Sequence, residues 1–214
     1  MKRASVPTAV TVAFLALECL LYATFLTLDL TGHGGQTIWL KYGGILLCLL
    51  YALLCALRGG DKLVFPALLF TAAADWFLLV RGDHLILGVA LFLVVQSLYL
   101  IRLRRMGVDD YLWLRTMTAL FMGLAVYIFG LISPLTILVA LYFSQLVSNA
   151  ILAWKGRRWL FAIDLTLFVC CDICVGMFNL GILYSFASVG MWLFYLPSQV
   201  LIVLSAKEAR HEAK

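Results

Sequence analysis

Charge is scarce in this sequence of 214 residues: 13% are Asp, Glu, Lys or Arg, against 64% hydrophobic residues and a mean hydropathy of +1.04. An ordinary soluble domain is about a quarter charged and about half apolar. A water-soluble fold of this length would lack the polar surface to cover its core. Any polar stretch long enough for a separate soluble domain is also missing. A hydrocarbon core of about 30 Å takes about 20 apolar residues per helix, so eight such segments with short connections use nearly the whole chain. The net charge of +5 is not gathered into a continuous basic patch. Basic residues fall in short clusters between apolar runs, which argues against a nucleic-acid partner and reads as topology signals. Histidine is rare, and His33, His84 and His211 all fall in loops or the tail. Cysteine is missing from the loops, where a disulfide framework would need it, since all six lie inside apolar runs. Cys171 and Cys174 spell Cys-x-x-Cys, but a metal site needs further ligands, so these cysteines read as small buried hydrophobes and no metal is expected. The first apolar run follows Lys2 and Arg3 as a signal peptide would. It continues to about Leu28 without a small-residue cleavage site, which predicts a first span instead.

What is present is a series of apolar runs bounded by charge, Gly or Pro. They predict spans over 8–28, 37–57, 63–80 and 85–101, then 112–132, 135–154, 159–178 and 182–204. The expected fold is therefore all-α: a polytopic bundle of about eight spans, residues 1–214 forming one transmembrane domain. Only the loop over 102–111 is long enough to divide it, into two weakly similar four-helix halves. Lys and Arg near span ends are retained in the cytoplasm. With both termini inside, 14 of the 16 basic residues fall on the cytoplasmic side, and Lys41 and Arg81 alone fall outside. Removing or adding one span would send the later clusters to the wrong face. A cell-membrane protein with cytoplasmic N- and C-termini is the expectation.

Ionisable residues inside apolar runs are costly and often mark function. Glu18, Asp75, Asp164 and Asp172 are the four carboxylates so placed. Asp164 is about five residues from the start of its span, just past Arg157 and Arg158, and is expected to reach the headgroup region. Glu18 is central in the first span with no basic partner in sight. Asp75 and Asp172 each lie 12 or 13 residues from the cytoplasmic start of the third helix of a half, about 18 to 20 Å deep. The following helices carry polar stripes. Gln96 and Tyr99 are three apart and Tyr195 and Gln199 four apart, so each pair shares a face. Gly88 and Phe92 continue the Gln96 face, with Gly88 allowing close helix approach. Gly176 and Asn179 extend the face of Asp172. Three readings fit this constellation: interhelical hydrogen bonds, a transport pathway, or a catalytic cavity. Nothing basic lies at the depth of either Asp, which favours the neutral acid, a form that can donate a proton.

These same residues carry a resemblance. Ala74-Asp75 on the third span, followed by Gly88, Phe92, Gln96 and Tyr99 on the fourth, resembles the Gly-Asp and Gly-x-x-x-Phe-x-x-x-His-x-x-Tyr pattern of the YhhN-type membrane proteins. Cys171-Asp172, Tyr195 and Gln199 resemble that family's Ser-Asp and Tyr-x-x-x-Gln, and Tyr142 on the sixth span also fits. The resemblance covers about residues 63–204, the first two spans matching only in hydropathy. Ala74, Cys171 and Gln96 depart from the Gly, Ser and His of the pattern. Characterised members are lysoplasmalogenases, so the resemblance implies hydrolysis of the vinyl ether bond of a lysoplasmalogen to a fatty aldehyde and a glycerophospho-base. It implies Asp75 and Asp172 as acid and base, with Gln96, Tyr99, Tyr195, Gln199 and Asn179 as substrate-binding residues. The implied partners are a lysophospholipid or other amphiphile and the lipid bilayer, with no metal or organic cofactor. The alternative of another class is a proton-coupled carrier or flippase for an amphiphile.

Overall fold

The computed structural model describes residues 6–32 and 37–208. They form eight helices and, among the described residues, no strand. The helices are α1 (Thr8–Leu30), α2 (Ile38–Leu57), α3 (Val64–Asp75), α4 (Leu85–Arg105), α5 (Leu112–Ile128), α6 (Pro134–Lys155), α7 (Trp159–Asn179) and α8 (Tyr184–Glu208). All eight fall on the apolar runs of the sequence. Seven, counting α3 with its continuation, are long and apolar enough to cross a membrane, so this is a multi-pass helical membrane protein. The eighth, α5, has 17 residues, or about 26 Å at 1.5 Å per residue, slightly less than a hydrocarbon core. It stops at Ile128 rather than running to 132, because the chain turns at Gly130, whose φ of +65° suits glycine. Ser133 then starts α6 by a reciprocal capping box with Thr136, with Pro134 in the first helical turn.

Polarity is inverted relative to a soluble fold. Leu20, Leu50, Leu120 and Phe121 are exposed, whereas Gln96, Arg102, Asn149, Asp164 and Gln199 are buried. Hydrocarbon accepts the apolar exterior, and the interior collects the groups that need hydrogen bonds. α7 and α8 pack along their lengths, α3 packs on α4, α4 and α7 on α6, and α8 closes the ring against α1, α2 and α3. α5 packs on α6 alone. Pro197 inside α8 has no N–H to bond Leu193 O; Tyr22 Oη donates to that carbonyl at 3.4 Å instead.

The charged segments expected to share a face gather at one end of the bundle. Lys207 Nζ donates to Thr11 Oγ1 at 2.6 Å, joining the end of α8 to the start of α1. Arg102 Nε reaches Asp61 at 2.6 Å and Arg102 Nη1 reaches Ser205 at 2.9 Å. Arg158 bonds the Met106 carbonyl across the α4–α5 turn. We call this the basic end. Lys41 lies at the opposite end, paired with Asp29 at 2.7 Å and set over the Trp192 ring at 4.7 Å.

Candidate functional site

Asp75 closes α3, and the chain continues from it without a break into a π-helical segment, Trp76–Arg81. Wider π turns are rare and frequently occur at functional sites. α4 passes close beside this segment because Gly88 has no side chain: a Cβ there would come within 2.4 Å of Leu78 Cγ. Across the interior, Tyr195 Oη of α8 donates to Asp75 Oδ2 at 2.5 Å. Asp172 of α7 lies near enough to act on Asp75 through its charge. Tyr142 of α6 faces Asp172 and interacts with it electrostatically. Tyr142 Oη is set toward the Asp172 carboxyl at the margin of hydrogen-bonding geometry. Rings wall the pair: Tyr142 against Phe92 at 5.7 Å, Phe92 against Phe168 at 5.6 Å, and Phe168 against Tyr195 at 5.5 Å. The result is two carboxyl groups set among aromatic rings, drawing on α3, α4, α6, α7 and α8.

Asp75 is six residues before Arg81, Asp172 seven before Asn179, Phe92 seven after Leu85 and Tyr142 eight after Pro134. These side chains therefore share one layer, on the order of 10 Å in from the end opposite the basic one. Beyond Asp172 toward that end, Gly176 and Asn179 are exposed, and a Cβ on Gly176 would meet nothing within 4 Å.

The expected site residues divide among three places. Asp75, Asp172 and Tyr195 come together. Gln199 and Tyr99 are buried nearer the basic end, Gln199 one turn past Tyr195 with its Nε2 on Ser198 at 3.1 Å, and Tyr99 against the Phe161 ring at 5.4 Å. Gln96 belongs to a different network: its Oε1 and its main-chain carbonyl accept from Asn149 Nδ2 at 3.0 and 2.9 Å. Asn149 in turn accepts from Arg115, which also bonds Gln145 and Asp110. Asn179 does not join the cluster. Spacing puts it on the Asp172 face, but it is the last residue of α7, where no neighbouring helix covers it, and its Nδ2 turns back to Val175 O at 2.8 Å. Asp164, expected at the headgroup level, is 1% exposed and lies in the interior near Arg102 and Tyr99. Its place near the start of α7 suggests the interface, but the side chain is buried among the helices, with the charge of Arg102 acting on it. Tyr142 was marked by resemblance and not as a site residue. Its depth, matched to Asp172 from the other end of the bundle, is the signal that finds it.

A family model described as the YhhN family matches residues 36–206. The chain belongs to the YhhN family. The match extends past the motif-bearing stretch and takes in all of α2, leaving α1 outside. No curated protein and no solved structure matches the chain. The YhhN family is one associated with lysoplasmalogenase activity.

Proposed function

We propose that this YhhN protein is a lysoplasmalogenase-like hydrolase that cleaves the vinyl ether bond of a lysoplasmalogen, with Asp75 and Asp172 as its acid–base pair. The observation that carries the reading is the approach of two carboxyl groups from separate helices, among aromatic rings, in a chain belonging to this family. A vinyl ether is activated by protonation at carbon. One carboxylic acid gives its proton to the carbon distant from the ether oxygen, and the double bond's electron pair forms the new C–H bond, leaving an oxocarbenium ion. The other carboxylate stabilises that cation and takes a proton from the water that adds to the carbon beside oxygen. The hemiacetal so formed breaks its bond to the glycerol oxygen, which leaves with a proton, and a fatty aldehyde remains. One water is consumed, and no metal or organic cofactor enters any step. General acid–base chemistry of this kind needs one group neutral and one ionised at the same pH. Tyr195 fixes the Asp75 carboxyl, and the Phe92 and Phe168 rings shield the cation from bulk water.

The protein is placed in the cell membrane with both termini in the cytoplasm, on the strength of the basic end and the retention of Lys and Arg inside. The single-chain lipid then enters from the opposite end, past Asn179 and Gly176, and its scissile bond, just below the headgroup, falls at the layer of Asp75. Gln96, Tyr99 and Gln199 act from the basic side. The test is aldehyde release by purified protein from a panel of lysoplasmalogens and ordinary lysophospholipids. Release from vinyl ether lipids alone supports the reading. Proton-dependent uptake into proteoliposomes without aldehyde release replaces it with the carrier.

A further inference from the structure

Between the carboxylate chamber and the basic end the interior is polar, and much of its polarity is unpaired. Arg102 and Ser205 lie three residues before the ends of α4 and α8, Asp164 five residues into α7, and Thr71 seven into α3. Gln96 and Gln199 lie nine residues before the ends of α4 and α8, and Asp75 and Asp172 are eleven and thirteen residues in. The ladder rises about 15 Å at 1.5 Å per residue with no gap longer than one helical turn. At successive levels a buried polar atom has no protein partner: Arg102 Nη2, Asp164 Oδ2, Thr71 Oγ1, Gln96 Nε2 and Gln199 Oε1. All five residues are no more than 1% exposed. The series ends at the Asp172 carboxyl, beside Tyr142.

An unpaired buried polar atom is costly, and native proteins rarely leave several together without water. The chemistry of these atoms suits water. Gln96 Nε2 only donates and Gln199 Oε1 only accepts, and both lie nine residues before the ends of their helices, so water at that level can serve each of them. Arg102 Nη2 and Asp164 Oδ2 make a second donor–acceptor couple at the basic end. We propose that these residues bind a file of ordered waters running from the Arg102–Asp61 pair to Asp172, a water route that enters from the end opposite the lipid. Asp164, Thr71 and Gln199 are positioning residues of this file. The use given to the water, supply of the hydrolytic molecule and exit of its proton, rests on the hydrolase reading; the existence of the file does not.

X-ray radiolytic hydroxyl-radical footprinting of the full chain in nanodiscs tests it, because side chains beside bound water are oxidised even when bulk solvent does not reach them. Tyr99 and Phe161, both 1% exposed and beside the file, are expected to be oxidised several-fold faster than Phe25, which is 0% exposed and lies outside the file. The double change Thr71→Val with Gln199→Leu is expected to bring Tyr99 and Phe161 down to the Phe25 level. In the aldehyde assay the same variant lowers kcat. Wild-type Tyr99 and Phe161 as protected as Phe25 would overturn the file, whatever the activity. Labelling of both in a protein that releases no aldehyde would keep the file and remove the hydrolase.

Discussion

Asp75 and Asp172 are held differently. Asp75 is tied by Tyr195 of α8, whereas Asp172 faces Tyr142 of α6. If they share one reaction, Asp75→Asn and Asp172→Asn each lower turnover by roughly 10² to 10⁴, the usual worth of a general acid or base. The double change is then little worse than the more damaging single one, because the two act as a unit. Tyr195→Phe removes a hydrogen bond without changing shape. It is expected to cost about tenfold in kcat, the worth of one bond to a carboxyl group in a buried site. Both Asp residues are legible from sequence because a carboxylate in an apolar run is an anomaly, and Tyr195 because it lies four residues from Gln199. Tyr142 is harder to see, since a tyrosine in an apolar run is ordinary until its depth is set against Asp172. The partner of Gln96 is not legible at all, because Asn149 meets it only through the packing of α4 on α6.

The elements differ in how firmly they are tied. α5 packs on α6 alone, and its polar anchor is Arg115, 8% exposed, bonded to Asp110, Gln145 and Asn149. Arg115→Met removes three hydrogen bonds at once and leaves Asp110 with Arg104 alone, for which a loss of about 1 to 3 kcal/mol is typical. A lowered Tm in detergent and early hydrogen exchange over Leu112–Ile128 are the measurements. Burial pushes the Asp110 carboxyl up, but hydrogen bonds from Arg115 and Arg104 outweigh it and hold the group below its ordinary 3.8. A depressed carboxylate contributes fully above the unfolded value and is lost as pH falls through the lower folded one. Exchange protection at the start of α5 should therefore hold down to about pH 4 and fall only below it. Eight apolar runs were enough to read the helices, and Gly130 accounts for the early end of α5. The π segment has no such mark: Trp76–Arg81 contains neither Pro nor Gly, and its wide turn shows only where α4 crowds it at Gly88.

The whole molecule is a ring of helices with its polar groups inside, a basic end closed by Arg102, Asp61 and Lys207, and an opposite end where Gly176 and Asn179 are exposed beyond Asp172. That arrangement makes orientation testable. Cysteines introduced at Asp109, on the α4–α5 turn, and at Ser133, on the α5–α6 turn, should react with an impermeant reagent from opposite sides of the membrane. Reaction of both from one side would mean that α5, the short helix, does not cross. The central claim joins the two carboxyl groups to one chemistry, and aldehyde release from a lysoplasmalogen in nanodiscs reaches it most directly. Three proteins are compared: wild type, Asp75→Asn and Asp172→Asn, each shown to be folded. The account predicts release by wild type and a drop of roughly 10² or more in both variants. Near-parental release by both variants would contradict it and leave the pair a structural or transport role.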